Sequence, residues 1–127
     1  YVDLYIMDHC GNLIDTAALA AMGALLNTKV PKYEEKALIR TEFTGKLPIV
    51  RSAVVSSFEK IDGKLVLDAN DEEEVSSEGR LSLATCDGDL LCAAQKSGKA
   101  SFSREEFSSL MDIALEKGKE LRNLLNG

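Results

Sequence analysis

The stretch beginning at Ser103, SREEFSSLMDIALEKGKELRNLL, limits the fold more than any other part of the chain. Ser103 with Glu106 three residues on is a capping box, the pairing that closes the open amides of a helix start. Phe107, Leu110, Met111, Ala114, Leu115, Leu121, Leu124 and Leu125 then recur at helical spacing, over about six turns. Most of the residues between them are charged or polar, so the helix has one apolar stripe and must lay it on another layer.

The preceding residues supply that layer. Residues 52–61, SAVVSSFEKI, read as a strand, Asp62-Gly63 as a two-residue turn tolerant of positive φ, and residues 64–69, KLVLDA, as the returning strand. Residues 80–86 and 90–96 form a second hairpin around Asp87-Gly88-Asp89. Between the hairpins, Asn70 is placed to cap a short helix whose first turn is acidic, the charge a helix dipole favours there. Upstream, residues 1–8 alternate, with Val2, Leu4 and Ile6 on one face, which reads as a strand. Residues 8–12, DHCGN, make a turn, and Asp15 is expected to cap a helix over 16–27. That helix, TAALAAMGALLN, is apolar on nearly every side. It should be buried on most of its circumference, against a sheet or a partner. Residues 28–51 are less regular, punctuated by Pro31 and Pro48, with a short strand expected over 36–43. Helices gathered on one side of a largely antiparallel sheet make an α+β layered domain.

With 127 residues the chain has room for one real core. A net charge of −6 argues against a free-standing nucleic-acid binder, which carries a basic footprint. A basic surface supplied by a partner remains compatible with it. No apolar run is long enough to cross a bilayer, so no membrane partner is expected. Cys10, Cys86 and Cys92 sit at no metal-ligand spacing and read as reduced thiols of a cytoplasmic protein, with Cys92 buried in its strand.

Three stretches carry candidate chemistry. Carboxylates crowd between Asp68 and Glu78, followed by Arg80 at a strand entrance. Such acids can hold a metal ion or move protons, though acids in a first helical turn more often form a cap and a solvated face. His9 beside Cys10 could form a nucleophile pair, but neighbours in sequence rarely point the same way and no third group orients them. An exposed loop histidine is the expected outcome. Residues 95–101, QKSGKAS, place glycine, lysines and serines before a helix start, an arrangement suited to phosphate but without P-loop spacing. Lys96 and Lys99 are the candidate contacts of such a loop.

GNLIDTAALAAMGALLNTKVP, FEKIDGKLVLDANDEEE, RLSLATCDGDLLCAAQKSG and FSREEF, in this order, resemble the C-terminal half of RNase PH-type subunits, in particular the non-catalytic RNase PH-like ring subunit type of the archaeal exosome. The resemblance implies an RNase PH-like fold (ribosomal protein S5 domain 2-like) of two related halves. Residues 1–30 would be the last strand and helix of the first half, 31–51 a linker and 52–127 the second half. Family members run to roughly twice this length, so, with the strand pattern starting at residue 1, a fragment of a longer chain is expected. The resemblance also implies a hexameric ring of alternating catalytic and non-catalytic subunits. Such a ring degrades RNA from the 3′ end with inorganic phosphate as the attacking group, and cap subunits join it; in it Lys96 and Lys99 would touch the RNA backbone or a cap subunit.

Catalytic relatives carry Asp at the strand entrance and another Asp six residues before it. Here those positions are Arg80 and Glu74. Glu74 keeps the acid, but an arginine neither ligates magnesium nor serves as a base near neutral pH. Arg80 should pair with Glu74 or Glu78, or face RNA or an interface. No catalytic residue, metal or cofactor is therefore expected. Leu19, Met22, Leu25 and Leu26 are the candidate interface residues. Two other readings stay open: a phosphorolytic 3′–5′ exoribonuclease active by itself through Asp68, Glu74 or other acids, and a free-standing protein-interaction domain.

Overall fold

The computed structural model describes residues 1–34 and 37–125. Helix α1 (Leu13–Asn27) comes first, then strands β1 (Lys29–Glu34), β2 (Ala37–Lys46), β3 (Val54–Ile61) and β4 (Lys64–Leu67). Helix α2 (Asp71–Val75), strands β5 (Gly79–Cys86) and β6 (Leu90–Gly98) and helix α3 (Arg104–Leu125) follow. Strands β3 to β6 form one antiparallel sheet in the order β4-β3-β5-β6. Asp62 and Gly63, both at positive φ, make the tight turn between β3 and β4 that the Asp-Gly pair anticipates.

Alternation divides this sheet into two faces. Val54 and Phe58 of β3 and Leu81, Leu83 and Thr85 of β5 are buried on the face that α3 covers with Leu110, Ala114 and Gly118. The capping box holds the start of α3: the Glu106 amide donates to Ser103 Oγ at 3.1 Å, and the Ser103 amide to Glu106 Oε2 at 2.7 Å. Farther along, the stripe departs from the sequence pattern. Gly118 and Arg122 are buried, whereas Leu124 is exposed. A Cβ on Gly118 would stand 2.1 Å from Thr85 Oγ1, so only glycine lets α3 come this close to β5. Arg122 follows one turn later and donates to the same Thr85 oxygen at 3.1 Å.

Four expectations are corrected. Residues 1–8 form no strand: a strand needs a hydrogen-bonded neighbour, and among the described residues they have none, so Val2, Leu4 and Ile6 stand exposed. Asn12, not Asp15, occupies the cap position of α1, in a left-handed conformation at φ 46°. The stretch expected to be irregular holds more than one short strand: the strand expected over 36–43 is present as β2, in an antiparallel pair with β1. Lys36 itself falls outside the described residues. The pair's register shifts on either side of Pro31, which breaks the alternation that would have revealed it. Finally, Cys92 is exposed, because β6 is an edge strand and all nine of its residues are open to solvent. Cys86 is the buried thiol.

Helix α1 leans on β3 and touches α3, yet none of its residues is fully buried. Leu19, Met22, Leu25 and Leu26 are all half-buried.

Candidate functional site

The sheet face turned away from the α3 core is polar. Ser57 stands opposite Ser82 and Glu59 opposite Arg80, so these four side chains share that face. The Gly11–Asn12 turn, Asp15 of α1 and Glu74 of α2 reach this cluster. Arg80 Nε donates to Glu59 and its terminal nitrogen to Glu74, joining β3, α2 and β5 through one guanidinium. Glu59 is almost wholly buried, with 4% of its side chain exposed, and accepts a further bond from Ser77 Oγ at 2.5 Å. Glu74 also accepts the Asn12 amide at 2.9 Å, which ties the start of α1 to α2.

Asp15 completes the joint. Strand β4 pairs with β3 only as far as Phe58, so the outward amide of Ser57 has no strand neighbour. Asp15 takes that amide at 2.7 Å and the Ser57 hydroxyl at 2.6 Å, and the hydroxyl in turn meets Ser82 Oγ at 2.8 Å. Asn12 Nδ2 lies between two carboxylates, 3.1 Å from Asp15 and 2.6 Å from Asp68. Its Oδ1 is buried without a partner among the described residues. The turn reaches this position because Gly11, at φ +94°, passes so near that a Cβ would lie 2.6 Å from the Ala69 oxygen. Asn70 and Glu73 form the capping box of α2, with both bonds at 2.9 Å.

A divalent cation among these acids does not fit the residues present. The space between Glu59 and Glu74 holds the Arg80 guanidinium. Among the described residues no three His, Cys, Asp or Glu side chains are grouped as a metal set. Burial weakens the charge on Arg80, but hydrogen bonding and attraction from Glu59, then Glu74, outweigh it and hold its pKa above the ordinary arginine value. Two carboxylates already surround one guanidinium, so this point offers little net positive charge to a phosphate. Arg80 pairs with Glu74 as its position suggests, but its second partner is Glu59 rather than Glu78. Sequence reasoning missed Glu59, because only the cross-strand register brings it opposite Arg80.

The other candidates lie apart from this cluster. His9 is exposed, and its Nδ1 accepts the Gly11 amide at 3.5 Å. The Cys10 thiol faces Asp71 at 3.6 Å. Lys96 Nζ donates to the Gly98 carbonyl at 2.6 Å, and both Lys96 and Lys99 are exposed beside Phe102.

Sheet order, the long packed helix and the acid-bearing joint together define a class. Residues 53–117 match the 3′ exoribonuclease family, domain 2, and the chain belongs to that family. Its relatives include Exosome complex component Rrp42 of Thermococcus gammatolerans, 36% identical over 129 residues, which cover 98% of this chain and 47% of that protein. The protein of the same name from Methanothermobacter thermautotrophicus is also 36% identical, covering 99% of this chain and 48% of that one. Thus the chain spans about half the length of the curated relatives it matches. Among solved structures, an archaeal exosome core superposes with a TM-score of 0.84 at 32% identity, over 95% of this chain and 47% of that one. An Archaeoglobus fulgidus exosome with RNA bound to the active site gives 0.78 at 30% identity, over 92% of this chain and 44% of that chain. The expected RNase PH-like α+β architecture is therefore the one observed.

Proposed function

We propose that this chain acts in an archaeal-type exosome ring as a non-catalytic subunit that pairs with a catalytic RNase PH-like subunit and shapes the RNA path. What supports the reading is the cluster around Arg80: its guanidinium lies between Glu59 and Glu74, at the position where the resemblance to catalytic relatives leads one to expect an acid. A guanidinium locked between two carboxylates can brace a fold, but it can neither accept a proton nor ligate a metal. Similarity to proteins named exosome complex component Rrp42 supports the ring assignment. Cap subunits and RNA are then partners of the assembled ring, and the cytoplasm is its compartment.

The interface in this reading is α1. Leu19, Met22, Leu25 and Leu26 are only half-covered by β3 and α3, and a further apolar layer would complete their burial. The test is assembly. The full-length protein mixed with a catalytic RNase PH-like subunit is expected to form a ring of alternating subunits by native mass spectrometry, and Leu19→Glu with Leu26→Glu to prevent it. A full-length protein that stays separate from its catalytic-type partner would remove the proposal.

A further inference from the structure

Strand β6 is the outer edge of the four-stranded sheet, and an uncovered edge is normally blunted by charge, proline or a covering element. Lys96 is the only charged side chain along LLCAAQKSG, the strand contains no proline, and Leu90 and Leu91 are 42% and 36% exposed. A groove of about 490 Å³ opens where β6 meets the start of α3. Leu81 and Ala94 line it together with Phe102 and Phe107, and Lys96 and Lys99 flank them. Both phenylalanines are partly buried against the core, so the groove is apolar inside with two cations beside it. Among the described residues neither lysine has a carboxylate within salt-bridge distance, although the chain as a whole carries a charge of −6. Lys60, the other lysine near Phe102, is already paired with Glu106 at 2.7 Å.

We propose that this edge and groove receive an extended acidic segment of a partner protein. The segment adds to β6 as a further strand, its main chain satisfying the open amides and carbonyls of the edge. An aliphatic or aromatic side chain of the segment enters between Ala94 and Phe107. Carboxylates two residues along on the same face of the added strand meet Lys96 and Lys99. The open ladder favours a peptide over RNA, whose phosphodiester backbone lacks the alternating N–H and C=O groups that pair with a strand edge. The surface lies outside the Arg80 cluster, so the inference does not depend on the proposed function.

The experiment measures binding of fluorescent ten-residue peptide pools to the full-length protein by anisotropy. One pool alternates Asp or Glu with Val, Leu or Phe, a second replaces the acids by Lys or Arg, and a single-stranded oligoadenylate serves as the RNA arm. The acidic pool is expected to bind and the basic pool not to. Lys96→Glu with Lys99→Glu should weaken the acidic pool about tenfold through loss and reversal of two edge ion pairs. Ala94→Glu should weaken it without changing the melting temperature, since Ala94 is exposed. Absence of binding by the acidic pool, equal binding of both pools, or binding of oligoadenylate alone through these lysines would each overturn the proposal.

Discussion

Helices α1 and α3 make opposite use of apolar residues. Helix α3 keeps them in one stripe, and Leu110, Ala114, Gly118 and Arg122 disappear against β3 and β5. Helix α1 is apolar nearly all round, yet buries no residue completely. The same contrast runs through the sheets, for β3 and β5 are buried along most of their length while the β1–β2 pair is mostly exposed. A helix with a polar back needs a single neighbour. A helix without one needs more surface than this chain provides, and that is the reason for reading α1 as an interface.

The contrast can be broken most forcefully at its packed end. Phe58 is 1% exposed and meets Leu81, Leu83 and Leu110. Phe58→Ala should cost about 3–5 kcal/mol in denaturant unfolding. Leu19→Ala, on the half-covered helix, should cost roughly 1 kcal/mol, in proportion to the smaller apolar area it removes from contact. Comparable losses at both positions would mean that α1 is as much a part of the core as α3.

A smaller effect is expected at the polar joint. Arg80→Met leaves Glu59 buried without its cation and should destabilise by about 2–4 kcal/mol, below the full cost of a wholly buried pair because Arg80 is partly exposed. Adding Glu59→Gln should recover much of that loss, since the uncompensated charge is then gone. Failure of the second change to help would show that Arg80 acts by packing rather than by charge. At the α3–β5 contact, Gly118→Ala should cost about 1–3 kcal/mol through overpacking against Thr85, with most of the shift visible in the thermal midpoint.

The smallest effect concerns acid. Hydrogen bonding from Lys60, then from the Ser103 amide, lowers the pKa of Glu106 below the usual glutamate range. A carboxylate whose folded pKa is depressed adds stability above its unfolded pKa and loses it as pH falls through the folded value. Glu106→Gln should therefore flatten the fall in stability below about pH 4.5, near the unfolded glutamate pKa. An unchanged acid slope would show that the Lys60–Glu106 pair contributes nothing to folding.

Sequence reading succeeded where the cause is local. The cap at Asn70, the capping box at Ser103, the Asp-Gly turn and the spacing in α3 depend on residues within a turn of one another. It failed where the cause is distant. The pairing of Glu59 with Arg80 depends on strand register, and the capture of the Ser57 amide by Asp15 on where β4 happens to end. The period-two pattern of residues 1–8 describes a strand's side chains correctly but cannot supply the neighbour that makes a strand. Cys92 sits in an apolar run that reads as buried, yet strand order puts it on the edge. Within the candidate site, the position of Arg80 was legible and its buried partner was not.

The most direct measurement is phosphate-dependent release of nucleoside diphosphates from a 3′ single-stranded RNA. The full-length protein is assayed alone, beside its catalytic-type partner alone and the two together. The expected result is no release from this protein alone and release that appears or rises sharply in the mixture. Release from this protein alone, abolished by Asp68→Asn or Glu74→Gln, would contradict the non-catalytic assignment and make the acids around Arg80 a working site.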